Sequence, residues 1–235
     1  MALTLSQRNQ LRKRAAQEAA AVAPAALMEG ATGYEVMLAK LQQDQFRLKQ
    51  VQSTEGKARL KAELLPDYIP YIDGVLEGGQ GAQDDVLVTV MLWRFDAGDF
   101  EGGLIAAEYV LAHGLQMPDR FNRTTGCVVA EEVAEAALNA LKAGGTFDFG
   151  TLTRADVLTA SHDMPDQARA KLMLAIGRVA AAMVDDETPN DADWACLETA
   201  RHFLSRAIEL HDKCGAKKDL ERVERLIKKH AGTTG

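Results

Sequence analysis

Hydrophobic residues recur at three- and four-residue steps through most of this chain, and few segments alternate between apolar and polar positions. The first spacing places apolar side chains on one face of an α-helix, whereas alternation would indicate a strand. Thr32 and Glu35 have the spacing of a capping box, which opens a helix. One face of that helix carries Tyr34, Met37, Leu38, Leu41 and Leu48. The pattern predicts an all-α fold.

Capping residues, glycines and prolines mark the predicted helix ends. The first helix is expected to end before Pro24 and another before Pro66, because proline lacks the N–H group that a helix interior needs. Asp84 is the expected N-cap of a later helix. The glycine-rich residues 78–82 are predicted to form a domain boundary. Beside the helix that opens at Thr32, helices are predicted over residues 6–23, 57–65, 85–97, 100–113, 130–143, 154–161, 165–184, 192–212 and 216–230.

The helices on either side of this boundary suggest two kinds of interaction surface. Before it, two helices joined by a short turn near residues 53–56 fit either a helix-turn-helix-like unit or a plain helical hairpin. After it, residues 92–115 and 198–227 are similar to tetratricopeptide helix pairs, although their spacing does not recur at a fixed period. An apolar stripe at Val86, Val90 and Trp93 predicts a surface for self-assembly.

Composition places the chain among soluble globular proteins. Its 235 residues are 47% hydrophobic and 26% charged. Three widely spaced cysteines without a CxxC motif indicate neither a disulfide framework nor a zinc ribbon, and fit a reducing cytoplasm. The longest apolar runs, residues 86–95 and 172–184, are interrupted by arginine and are shorter than the roughly 18 residues that span a bilayer. Neither a membrane helix nor a signal peptide is predicted.

Charge is distributed unevenly along the chain. Residues 1–61 hold 10 Lys and Arg against 5 Asp and Glu, residues 62–212 hold 10 against 26, and residues 213–235 hold 7 against 3. Basic terminal segments could contact a polyanion while the acidic middle keeps the protein soluble. Solvated charges on helix surfaces would give the same counts, so both interpretations stay open.

Motifs of common enzyme classes are missing. Without a GxxxxGK[ST] sequence, ATP hydrolysis by this chain is not expected. Acidic clusters at residues 84–85, 131–132 and 185–187 could hold metal ions for phosphodiester cleavage, but helix capping also explains them. Only His211 and Cys214 have a metal-like spacing. No catalytic residue, metal or cofactor is predicted, and Trp93 and Trp194 are expected in the core.

The last predicted helix has two distinct faces. Leu220, Val223 and Ile227 form an apolar face, and the favoured charge pairs within the helix would also stabilise it in solvent. A partner-docking surface and a solvated helix therefore both fit the pattern. The opposite, basic face carries Lys218, Arg222, Arg225 and Lys229.

Four segments point to a known family. They are, in order, TGYEVMLAKLQQDQFRLKQVQS, LLPDYIPYIDGVLEGGQGAQDDVLVTVMLWRFDAGDFEGGLIAAEYVLAHGLQMP, MPDQARAKL and CGAKKDLERVERL. Together they resemble the small terminase subunit family of temperate tailed phages, often labelled the terminase endonuclease subunit. The resemblance implies a homo-oligomeric ring in the host cytoplasm that binds double-stranded viral DNA at the cohesive-end packaging site. It also implies that a large terminase subunit with ATPase and nuclease activity receives the DNA, with the portal as a further partner.

This resemblance assigns a role to each part of the chain. Residues 1–77 are predicted to bind DNA, residues 83–212 to oligomerise, and residues 213–235 to dock the partner through the basic face of the last helix. Whether the chain cuts DNA itself stays open, and a helical adaptor without direct DNA contact is the alternative. The predicted DNA contacts are Arg8, Arg12, Lys13, Arg14, Lys40, Arg47, Lys57, Arg59 and Lys61.

Overall fold

The fold is all-α, as the hydrophobic spacing predicts. A computed structural model describes residues 3–24, 26–28, 30, 32–118, 123–185 and 191–231, and these form ten helices and no strand longer than a single bridge. The helices are α1 (Leu5–Ala21), α2 (Thr32–Gln50), α3 (Thr54–Gly78), α4 (Asp85–Asp96), α5 (Phe100–Ala112), α6 (Thr125–Lys142), α7 (Phe149–Thr159), α8 (Asp166–Ala182), α9 (Asp191–Leu210) and α10 (Lys217–Ala231).

The chain divides into two compact units between Thr125 and Gly126, here called unit 1 and unit 2. Unit 1 holds α1 to α5, and unit 2 holds nearly all of α6 together with α7 to α10. This structural division differs in position from the boundary predicted at residues 78–82, where α3 and α4 pack within the same unit. The assignment of DNA binding, oligomerisation and docking to separate segments stays a prediction.

Helix α3 continues through Pro66, which was expected to end a helix, and through Pro70. Pro66 and Pro70 lie inside its 25 residues, although an interior proline costs about 3 kcal/mol. The prediction of a helix end at Pro66 is wrong because tertiary packing outweighs this local cost. Tyr68 and Tyr71 are fully buried on the far side of the first proline, so the helix must extend to place them in the core.

Helix α1 lies directly against α3 through small residues. A Cβ atom added at Gly74 would lie 2.3 Å from the carbonyl oxygen of Arg12, and one added at Gly78 would lie 2.3 Å from that of Ala16. Such a close backbone approach tolerates only glycine at these two positions. The N-terminal basic helix is therefore an integral part of unit 1.

Helix α4 is buried on all sides and forms the centre of unit 1. Val86 and Val90 are fully buried, and the ring of Trp93 meets that of Tyr68 edge to face at 5.8 Å. The prediction that Val86, Val90 and Trp93 offer a surface for self-assembly is therefore wrong. A helix that is apolar all round is typical of a core, and these side chains are already covered. No described helix is long and apolar enough to cross a membrane.

Unit 2 is built around α8, which packs against α9. A Cβ atom at Gly177 would lie 2.7 Å from Leu204, so the two helices approach closely there. Arg178 pairs with Asp219 at 2.7 Å and donates to the Gly215 carbonyl, which fixes the start of α10. The prediction that Trp194 lies in the core is wrong: it is 41% exposed near the start of α9, about 90° around the helix from the centre of the buried face of Leu197, Ala200 and Leu204.

Candidate nucleic-acid interface

All nine predicted DNA contacts lie in unit 1, on three helices that pack around one core. Helix α1 carries Arg8, Arg12, Lys13 and Arg14, α2 carries Lys40 and Arg47, and α3 carries Lys57, Arg59 and Lys61. Six of the nine form ion pairs inside the protein. An internal pair lowers the charge that a side chain presents to an outside polyanion, so the six differ from the other three.

Two arginines of α1 pair with carboxylates. Arg12 lies 3.5 Å from Glu77 of α3, and Arg14 donates to Glu18 at 2.8 Å. Glu18 in turn accepts the backbone N–H of Gly33 at 2.8 Å, and so caps the start of α2 from a neighbouring helix. Arg12 and Arg14 therefore help to hold α1 against the rest of unit 1.

Asp44 is a buried carboxylate at the centre of the cations on α2. It accepts hydrogen bonds from Lys40 at 2.6 Å, from Arg47 at 2.9 Å and from the Tyr68 hydroxyl at 2.8 Å. Burial alone would raise the pKa of Asp44, but the hydrogen bonds from Lys40, Tyr68 and Arg47 outweigh it and lower the pKa below its usual value. Lys40 also pairs with Asp67 at 3.3 Å.

Two of the three predicted DNA contacts on α3 form ion pairs, and the third does not. Arg59 pairs with Glu55 one turn earlier at 2.7 Å, and this pair is exposed to solvent. Lys61 pairs with Asp96 at the end of α4, 35 residues away in sequence. Lys57 makes no ion pair with any described residue.

Four cations of residues 1–61 differ from the other six in having no ion-pair partner among the described residues. Arg8, Lys13 and Lys57 were predicted as DNA contacts, and Lys49 was not. Among the residues that the structure describes, none of the four has an ion-pair partner, and Lys13 and Lys49 are exposed. The tertiary structure thus separates the ten cations of the basic segment into free and paired sets.

Asp84 of the first acidic cluster has a structural role. Asp84 is fully buried, accepts the Leu87 backbone N–H at 2.8 Å as N-cap of α4, and accepts the Tyr71 hydroxyl at 2.6 Å. Burial raises the pKa of Asp84 to about 6, although these hydrogen bonds favour the charged form. Residues 186 and 187 of the third cluster lie outside the described residues. Within the described ranges, no three His, Cys, Asp or Glu side chains are placed to hold a metal ion.

The predicted docking face on α10 is at the surface of unit 2. Val223 and Leu226 are buried, and α10 packs against α9. Lys218 and Arg225 are exposed, and Arg225 donates to the backbone carbonyl of Glu221 at 3.4 Å. Arg222 is half-buried and Lys229 is exposed. The apolar face of α10 is thus used within unit 2, while most of its basic face is accessible.

Comparison with known proteins identifies the family. A family model described as phage small terminase subunit matches residues 38–167. The chain is 45% identical over 223 residues to the "Terminase, endonuclease subunit" of Escherichia phage P2, covering 95% of this chain and 85% of the relative. It is 26% identical over 199 residues to the "Probable terminase, endonuclease subunit" of Haemophilus phage HP1, covering 80% and 68%. No solved structure matches. The chain belongs to the phage small terminase subunit family.

Proposed function

We propose that this protein binds double-stranded viral DNA at the packaging site, assembles as a multimeric ring and presents the DNA to a large ATPase and nuclease subunit. The observation that carries the proposal is the family relationship over 95% of the chain. The charge of unit 1 supports it: four of the ten cations in residues 1–61 form no ion pair with a described residue. The host cytoplasm is the compartment in which this function would take place.

DNA contact is assigned first to the unpaired cations. Arg8, Lys13, Lys49 and Lys57 can neutralise phosphates without giving up an ion pair, whereas Arg14 or Arg59 would have to exchange a carboxylate for a phosphate. Releasing counterions from DNA favours binding in proportion to the number of phosphates neutralised. Several subunits in one assembly would multiply a weak contact of each subunit through effective concentration.

Assembly is assigned to exposed apolar residues in unit 2. Met183 and Trp194 are large apolar side chains that are 56% and 41% exposed. Met183 lines a groove of about 190 Å³ together with Phe149 and Ala195. A groove and a neighbouring apolar side chain on the same unit can form a head-to-tail contact that closes a ring.

DNA cleavage is assigned to the large subunit, although both relatives carry "endonuclease subunit" in their names. Asp84 is buried and engaged by Leu87 and Tyr71, which leaves its carboxylate no open face toward a substrate. Asp85 accepts a hydrogen bond from Gln83 at 3.0 Å. A nuclease needs carboxylates that reach metal ions beside the scissile phosphate, and these two are used in the fold.

The test is a binding titration with purified full-length protein and phage DNA that contains the cohesive ends. Affinity should fall linearly on logarithmic axes as salt rises, because bound phosphates release counterions. Light scattering should give one closed multimer. The same protein incubated with plasmid, magnesium and ATP should leave both DNA and ATP intact. Absence of salt-dependent binding would favour the adaptor hypothesis, and metal-dependent nicking would assign the nuclease to this chain.

A further inference from the structure

The second half of α2 presents an unusual surface. Residues 42–50 contain six exposed side chains, and at 100° per residue these occupy one face about 160° wide. We call this surface the α2 amide face. It consists of Gln42, Gln43, Phe46, Arg47, Lys49 and Gln50.

This face is cationic and carries no exposed carboxylate. Asp44 is the one acidic residue between positions 42 and 50, and it is 3% exposed and points into unit 1. It holds the Arg47 guanidinium by one nitrogen at 2.9 Å, while the Arg47 side chain stays 53% exposed. The buried carboxylate therefore orients Arg47 through one hydrogen bond, and the other guanidinium donors of Arg47 are not bonded to Asp44. Lys49 has no ion-pair partner among the described residues.

The side chains on this face are of the types that form hydrogen bonds and apolar contacts with the edges of DNA bases. Glutamine can bind adenine through two hydrogen bonds, arginine or lysine can bind guanine, and an aromatic side chain can contact the thymine methyl group. Nine helical residues extend about 13 Å, which is close to the width of about 12 Å of the major groove. Phe46 is 65% exposed, so it is available for such an apolar contact.

We propose that the α2 amide face enters the DNA major groove and selects the base sequence of the packaging site. This inference rests on the proposed DNA-binding function and names the part of the protein that supplies specificity. The unpaired cations Arg8, Lys13 and Lys57 bind phosphates, and the glutamines with Arg47 distinguish one sequence from another. Asp44 acts as a positioning residue because it accepts a hydrogen bond from Arg47, and Tyr68 in turn donates to Asp44.

The experiment is a selection from a duplex DNA library with a randomised centre, performed with the full chain and with two triple variants. The test variant is Gln42→Ala, Gln43→Ala and Gln50→Ala. The control variant is Gln10→Ala, Gln17→Ala and Gln167→Ala, which removes three exposed amides elsewhere. Binding to the unselected library is measured in parallel, because it reports phosphate contacts alone.

The unaltered chain and the control variant should enrich the same motif. The test variant should lose or change that motif, with preference for the selected sequence falling about tenfold or more for each bidentate contact removed. Its binding to the unselected library should stay within about twofold, since no phosphate-binding cation is lost. A test variant that enriches the original motif would overturn the inference.

Two further outcomes separate this inference from the proposed function. A chain that binds duplex DNA but enriches no motif would overturn the α2 assignment and leave DNA binding intact. A chain that binds no duplex would overturn both. Light scattering of Phe46→Ala tests whether a second copy covers the face instead: a smaller assembly with an unchanged selected motif would overturn the proposal, and an unchanged assembly with an altered motif would support it.

Discussion

The hydroxyl of Tyr71 donates to the carboxylate of Asp84 across 2.6 Å inside the core of unit 1. Tyr71 is fully buried and Asp84 is 1% exposed, so this hydrogen bond joins the middle of α3 to the N-terminus of α4 without competition from water. Desolvation raises the pKa of both groups, that of Asp84 to about 6. The arrangement couples the stability of unit 1 to pH.

The first prediction concerns that coupling. Because the pKa of Asp84 is higher in the folded than in the unfolded protein, its contribution to stability is complete below the unfolded pKa near 4 and is lost as pH rises through about 6. The asparagine side chain of the Asp84→Asn variant carries no charge at pH 4 or at pH 7.5. We therefore compare the free energy of unfolding of the variant with that of the unaltered protein. The variant should gain up to about 3 kcal/mol relative to the unaltered protein as the pH rises from 4 to 7.5.

Urea unfolding at the two pH values and one fixed protein concentration measures this change. Asp85→Asn is the matched control for the loss of one negative charge at the neighbouring position. A difference between Asp84→Asn and the unaltered protein that does not vary with pH would show that the Asp84 carboxyl titrates normally.

The second prediction separates free from paired cations. Replacing Arg8, Lys13 and Lys57 with glutamine should weaken DNA binding and flatten the dependence of log affinity on log salt by about 0.9 for each lost contact in each engaged subunit. Fluorescence anisotropy at several salt concentrations measures both quantities. Light scattering should show an unchanged multimer.

Two controls accompany this variant. Replacing Lys142, Lys213 and Lys217 with glutamine changes the net charge equally but in unit 2, and should leave the salt slope unchanged. Replacing Glu55 and Arg59 with glutamine removes a whole ion pair at the surface of α3. If the slope of log affinity against log salt is the same for all three variants and the unaltered protein, Arg8, Lys13 and Lys57 do not contact DNA phosphates.

The third prediction places the assembly contact in unit 2. Trp194→Glu or Met183→Glu should reduce the size of the multimer, because a buried charge in an apolar contact is strongly unfavourable. Size-exclusion chromatography with light scattering gives the mass. Leu5→Glu changes a still more exposed apolar residue of unit 1 and should leave the multimer intact. Intact multimers for both unit 2 variants would exclude this groove as the contact.

The fourth prediction is that the basic face of α10 binds the large subunit. Replacing Lys218, Arg222, Arg225 and Lys229 with glutamine should weaken large-subunit binding in a pull-down assay before it affects DNA affinity. Lys217 and Lys228 lie about 100° away on the same helix, and their replacement with glutamine is the control. Loss of DNA affinity with normal partner binding would reverse the assignment.

The all-α class and most helix starts follow from local sequence. Asp84 caps α4 as its position predicts, because a short polar side chain satisfies backbone N–H groups only two or three residues away, and Asp99 caps α5 in the same way. The family could also be recognised, since the matching segments are contiguous stretches of sequence. The start of α2 differs from the predicted Thr32–Glu35 capping box: Glu18 of α1 accepts the N–H of Gly33, and Glu35 accepts that of Gly30.

Tertiary structure decided the features that depend on residues distant in sequence. Helix α3 continues past Pro66 because burial of Tyr68 and Tyr71 outweighs the local preference of proline. Lys61 and Asp96 are paired only because α3 and α4 pack together. The sequence by itself determined where most helices begin, since that depends on neighbouring residues. Which cations remain free, and which apolar faces are covered, was decided by packing, because only the folded chain brings distant charges and surfaces into contact.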